Sequence, residues 1–72
     1  MDKMSTIYNK LGESIRKYRR KANLSQEELA TKAKLDLTSV SEIESGLRNP
    51  SLKTIYKIAK ALGIQVNDLI TF

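Results

Sequence analysis

Neither cysteine nor histidine occurs anywhere in the 72 residues. Their absence removes disulfide stapling, thiolate chemistry and the usual zinc constellations together. A chain this small with no staple or metal must rest on its apolar core, with or without the support of a second subunit. Glycine and proline are scarce as well, three and one, which leaves long uninterrupted stretches and favours helices over strands joined by tight turns. No apolar run approaches the length of a membrane span. The opening Met1-Asp2-Lys3-Met4-Ser5-Thr6 is not followed by the apolar stretch of a signal peptide. These absences point to one small helical domain in the cytoplasm, with no metal and no cofactor.

What the chain does have is positive charge. Thirteen Lys and Arg against eight Asp and Glu give a formal net charge of +5, with a pI near 9.7. Such a balance favours polyanionic partners, through long-range attraction and counterion release. The charges are also unevenly placed: Arg16, Lys17, Arg19, Arg20 and Lys21 fall close together, while carboxylates concentrate further on. With 40% hydrophobic and 29% charged residues the composition is that of an ordinary globular domain, not a disordered one.

Periodicity and capping signals predict five helices. Tyr8, Leu11, Ile15, Tyr18 and Ala22 recur at spacings of three and four and share one face of a first helix over Thr6–Ala22, with residues 1–5 as a flexible lead. Asn23 suits the left-handed position that ends such a helix. Ser25 and Glu28 form a capping box, flanked by Leu24 and Leu29 as a hydrophobic staple, and open a second helix, Gln26–Ala33. Asp36 caps a third, whose apolar residues are Val40, Ile43 and Leu47. Only Lys34 and Leu35 separate the second helix from that cap, so the two helices must turn sharply, as in a helix-turn-helix over 25–45. Gly46 closes the third helix, and Asn49-Pro50 makes a rigid turn. Ser51 caps a fourth, lined by Leu52, Ile55, Ile58, Ala59 and Leu62 and stopped by Gly63. Residues 64–70 give a last short helix.

The chain resembles the lambda-repressor and Cro-like (XRE-type) helix-turn-helix family. The likeness is carried by Leu11-Gly12-Glu13-Ser14-Ile15-Arg16, Leu24-Ser25-Gln26-Glu27-Glu28-Leu29-Ala30, Val40-Ser41-Glu42-Ile43-Glu44-Ser45-Gly46, Arg48-Asn49-Pro50-Ser51-Leu52 and Ile58-Ala59-Lys60-Ala61-Leu62-Gly63. Five pieces in order, at the family spacing, span nearly the whole chain. The resemblance implies a compact all-α domain occupying 1–72 and sequence-specific binding to a double-stranded DNA operator. Two departures stand out. Lys34 occupies the turn position where glycine is usual, at a cost of about 1 kcal/mol for a left-handed residue with a side chain. Leu37 is apolar where many members carry a polar residue.

By place in the motif, the third helix is the recognition helix, and its first turn faces the major groove. Leu37, Thr38, Ser39 and Glu42 are then the candidates for base contact. Thr38 and Ser39 can donate or accept, Leu37 can read thymine methyls or shape, and Glu42 can accept from a cytosine amino group. The candidates for phosphate contact are Ser25, Gln26, Ser45, Arg48, Asn49, Ser51 and Lys53. Gln26 sits where a helix dipole meets the backbone, and Arg48 is the cation of the loop. Arg19 and Glu44 stand where the family joins the first and third helices by an ion pair.

One such domain reads few base pairs, so a twofold dimer meeting half-sites about 34 Å apart is expected. Ile64, Val66, Leu69, Ile70 and Phe72 exceed the evident needs of the core and are the candidate dimer contact. The small format is similar to phage repressors and to restriction–modification controllers. Activation would add RNA polymerase as a partner, through Glu27, Glu28 or Glu42. The competing reading is an antitoxin or protein-interaction adaptor on the same fold. An enzyme is not supported: Glu27 and Glu28 are accounted for by capping and Glu44 by the ion pair, and nothing convergent remains.

Overall fold

Short polar residues set the helix boundaries. In the computed structural model, which describes the backbone of residues 3–72 and side chains from Thr6 onward, the chain folds into α1 (Lys3–Lys21), α2 (Gln26–Ala33), α3 (Leu37–Glu44), α4 (Leu52–Leu62) and α5 (Val66–Leu69). No strand occurs among the described residues. At α2 the capping box is complete: the Glu28 amide donates to Ser25 Oγ at 3.0 Å, and the Ser25 amide to Glu28 Oε1 at 2.8 Å. Asp36 accepts from the Ser39 amide at 2.9 Å, and Ser51 from the Thr54 amide at 3.1 Å. Each bond satisfies one of the orphan donors at a helix start.

The helix ends use the left-handed region. Asn23 follows α1 with φ 63°, and Gly63 follows α4 with φ 71°. Lys34 ends α2 at φ 58°, ψ 46°, so the turn keeps the geometry that glycine would favour despite its side chain. There the Leu35 amide donates to the Ala30 carbonyl at 2.8 Å, closing the cap that directs the chain into α3.

One core joins all five helices. Leu11 and Ile15 come from α1, Leu29, Ala30 and Ala33 from α2, Val40 and Ile43 from α3, Ile58 and Ala59 from α4, and Leu69 from α5. Each fully buried Leu, Ile or Val contributes about 1.5–3 kcal/mol. Gly12 lets α1 lie directly on α3: a Cβ there would stand 2.6 Å from the Ile43 carbonyl oxygen and closer still to that of Glu44. The glycine costs helix propensity, and in exchange the two backbones touch.

Several expectations need correction. Residues 3–5 are helical and extend α1 instead of forming a flexible lead, while Met1 and Asp2 lie outside the described residues. Ala22 is exposed, because α1 has ended before it. Leu47 is not on a core face: α3 stops at Glu44 and Leu47 is 79% exposed in the loop beyond. Leu52, in the first turn of α4, stands away from the core at 71% exposure. The last helix is shorter than predicted, and Leu69 within it is wholly buried. A residue already consumed by its own core cannot serve a dimer contact. Ile64 and Val66 also pack against that core, leaving Ile70 and Phe72 as the exposed apolar residues of the terminal segment.

Candidate nucleic-acid interface

Two side-chain networks fix α3, one beneath it and one along its open side. Beneath it, the fully buried Glu44 carboxylate gathers donors from two other helices. Arg19 Nε lies 2.6 Å from Oε2 and Nη2 3.0 Å from Oε1, a two-pronged pairing, while Arg19 Nη1 donates to the Leu24 carbonyl at 2.8 Å. Gln26 Nε2 donates to Oε1 at 3.0 Å, and Arg16 Nε approaches the same oxygen at 3.4 Å. Burial by itself would raise the Glu44 carboxyl. The hydrogen bonds from Arg19, Gln26 and Arg16 and the charge of Arg19 outweigh it and hold the group below its ordinary value. One carboxylate thus locks α3 to α1 and to the first turn of α2.

Along the open side runs a chain of four residues. Ser39 Oγ donates to Asp36 Oδ1 at 2.6 Å and accepts from Arg48 Nη1 at 2.7 Å. Arg48 Nη2 in turn reaches Glu42 Oε1 at 2.6 Å. The loop after α3 is thereby folded back on the helix. Asp36 is held below the usual carboxylate range by its bonds from the Ser39 hydroxyl and amide, with Arg48 adding attraction. Around this chain the solvent side of α3 is free: Leu37 is 46% exposed, Thr38 and Ser45 are exposed, and the Glu42 side chain keeps 40% of its surface. Two short helices in sharp succession, the second clamped from below and open above, describe a reading head for a grooved surface.

Comparison with known proteins agrees. Residues 15–69 match the helix-turn-helix family. The chain belongs to the helix-turn-helix family. It is 50% identical over 62 residues to the control protein C.BamHI of Bacillus amyloliquefaciens, covering 85% of this chain and 76% of that one. It is 42% identical over 67 residues to the control protein C.MunI of a Mycoplasma species, covering 92% and 90%. Among solved structures, the restriction-modification controller protein C.AhdI from Aeromonas hydrophila superposes with a TM-score of 0.85 at 42% identity, covering 86% of this chain and 94% of that one. The family and these relatives are DNA-binding regulators, not enzymes.

Within the helix-turn-helix, the residues nominated from sequence separate into groups. Leu37, Thr38 and Glu42 keep exposed surface on α3. Ser39 does not: it is 8% exposed and its hydroxyl is occupied by Asp36 and Arg48, so it serves the loop and the helix start. Ser25 and Ser51 accept capping bonds at their helix starts. Ser45, Asn49 and Lys53 are exposed, and Gln26 is half-buried with one amide hydrogen directed to Glu44. Its second amide hydrogen remains available. Arg19 and Glu44 pair as the family pattern implies. Arg16 was missed from sequence, although its place three residues before Arg19 on the same helical face was a usable signal. No helix among the described residues is long and apolar enough to cross a membrane.

Proposed function

We propose that this chain is a sequence-specific regulator of transcription that binds a palindromic double-stranded DNA operator as a homodimer in the cytoplasm, associated with the nucleoid through that binding. Its type is the restriction–modification controller or the small repressor. The observation that carries this reading is that α3 is clamped through Glu44 and yet leaves Leu37, Thr38 and Glu42 accessible. A helix held this rigidly can enter a major groove without first ordering itself.

The roles follow from chemistry. Thr38 offers a hydroxyl and a methyl, Leu37 a contact for thymine methyls, and Glu42 an acceptor for a cytosine amino group. Gln26, with the first amides of α2, and Arg48, Asn49, Ser45 and Lys53 from the loop and α4 meet phosphates on either side. Ser25 and Ser51 add theirs through the helix starts they cap. Ile70 and Phe72, 47% and 54% exposed, are the apolar surface left for the twofold contact, while Ile64 and Val66 pack against the core. If the regulator activates, exposed Glu27 and Glu28 are the candidate surface for RNA polymerase.

The test is selection of bound duplexes from a random pool at physiological salt, followed by sequencing. An enriched palindrome with half-sites about ten base pairs apart supports the proposal. Binding without enrichment, or none, would move the weight to an antitoxin or adaptor.

A further inference from the structure

The segment that reads DNA in this proposal is acidic, although the protein as a whole is basic. Between Leu35 and Pro50 stand Asp36, Glu42 and Glu44 against a single cation, Arg48. That cation is already engaged. Its two terminal nitrogens bond Ser39 Oγ at 2.7 Å and Glu42 Oε1 at 2.6 Å, and Ser39 passes the interaction on to Asp36 at 2.6 Å. Glu44 is spent on Arg19, Gln26 and Arg16. Hence the charge that Arg48 would offer to phosphate is cancelled in the free protein by a carboxylate on the reading side of α3.

We infer that Glu42 is a specificity-determining latch, which withholds Arg48 from the phosphate backbone on non-operator DNA and yields it on the operator. This rests on the proposed reading of α3 as the DNA-reading helix. The logic is competition for one carboxylate. At an operator, a cytosine amino group in the major groove donates to Glu42 and takes over part of the role that Arg48 fills in the free protein. Arg48 then turns its freed donors to a phosphate, which a guanidinium can engage through two parallel hydrogen bonds. On other sequences no such donor stands opposite Glu42, the pair stays closed, and no counterion is released at that point. Base reading and backbone attraction become one linked event. An independent phosphate contact would strengthen every sequence alike and add nothing to discrimination.

The experiment measures binding against salt concentration for the full chain, Glu42→Gln, Arg48→Ala and the double variant. Each is titrated on a selected operator duplex and on a scrambled duplex of equal length and composition. Circular dichroism first establishes that each variant is folded. On scrambled DNA, Arg48→Ala alone leaves the salt slope unchanged. Glu42→Gln steepens it by about one unit, and adding Arg48→Ala removes that gain. On the operator, Arg48→Ala lowers the slope by about one in either background. The inference is overturned if Arg48→Ala already lowers the slope on scrambled DNA by a full unit, because the contact is then unconditional. It is equally overturned if Glu42→Gln strengthens scrambled binding to the same extent without Arg48, because Glu42 is then a simple repulsive charge. Absence of binding to any duplex by the unmodified protein is a different result, which removes the proposed function and this inference with it.

Discussion

Replacing Glu44 by alanine is the most demanding test of how α3 is held. The side chain is fully buried and collects bonds from Arg19 at 2.6 and 3.0 Å, from Gln26 at 3.0 Å and from Arg16 at 3.4 Å. Its removal leaves the Arg19 guanidinium, whose side chain is only 11% exposed, with one remaining bond to the Leu24 carbonyl. Stranding one member of a buried pair costs about 3–5 kcal/mol. A domain of 72 residues has a total stability of roughly 4–11 kcal/mol, so the variant should lose from about a quarter to all of it. Urea unfolding followed by circular dichroism at 222 nm should show the midpoint collapse with little change in slope. A double-mutant cycle then apportions the network. Arg19 and Glu44 should couple by about 2 kcal/mol or more, whereas Arg16, longer in contact and 38% exposed, should couple by less than about 1 kcal/mol. A loss below about 1 kcal/mol for Glu44→Ala would refute the reasoning, since it would mean that the carboxylate contributes no more than a surface charge.

Other consequences can be checked on the same protein. Because the Glu44 carboxyl sits below its unfolded value near 4.3, its contribution is complete above that pH and is lost as pH falls through the folded value. Glu28 and Asp36 shift in the same direction, so urea titrations between pH 7 and 3 should show stability falling with acid, with a shallower fall in Glu44→Gln. Gly12→Ala should destabilise by about 1–3 kcal/mol in thermal melts despite the better helix propensity of alanine, because the new Cβ meets the carbonyls of Ile43 and Glu44. Lys34→Gly should instead stabilise by about 1 kcal/mol, as it relieves a left-handed residue at φ 58°. Ile70→Glu or Phe72→Glu should convert a dimer to a monomer in sedimentation while leaving the circular dichroism spectrum intact; an unchanged mass would remove these residues from the interface.

Helix boundaries were legible because they are written in local chemistry. Ser25, Asp36 and Ser51 cap the helices that their side chains announce, and Asn23 and Gly63 terminate α1 and α4. The Arg19–Glu44 pair was legible only through the family pattern. What escaped sequence reading depends on the approach of distant segments. Leu47 and Leu52 fit a three-four spacing yet face solvent, because spacing says which residues share a face but not where the helix stops or which face meets the core. Ser39 reads as an accessible hydroxyl until Arg48, nine positions on, folds back and covers it. Arg48 likewise reads as a free cation, and its partners appear only once the loop is closed.

The direct contact of α1 on α3 at Gly12 bears on how such a protein changes over generations. Val40, Ile43 and Glu44 are buried and anchor α3, while Leu37, Thr38 and Glu42 keep exposed surface. Substitutions among the latter three leave the anchor untouched, so preference for one operator can drift toward another without loss of the fold. The anchored side pays for that freedom by tolerating almost nothing. In a lineage of these chains, variation should therefore accumulate in a narrow stripe on one helix, and the stripe should record which DNA each copy has come to read.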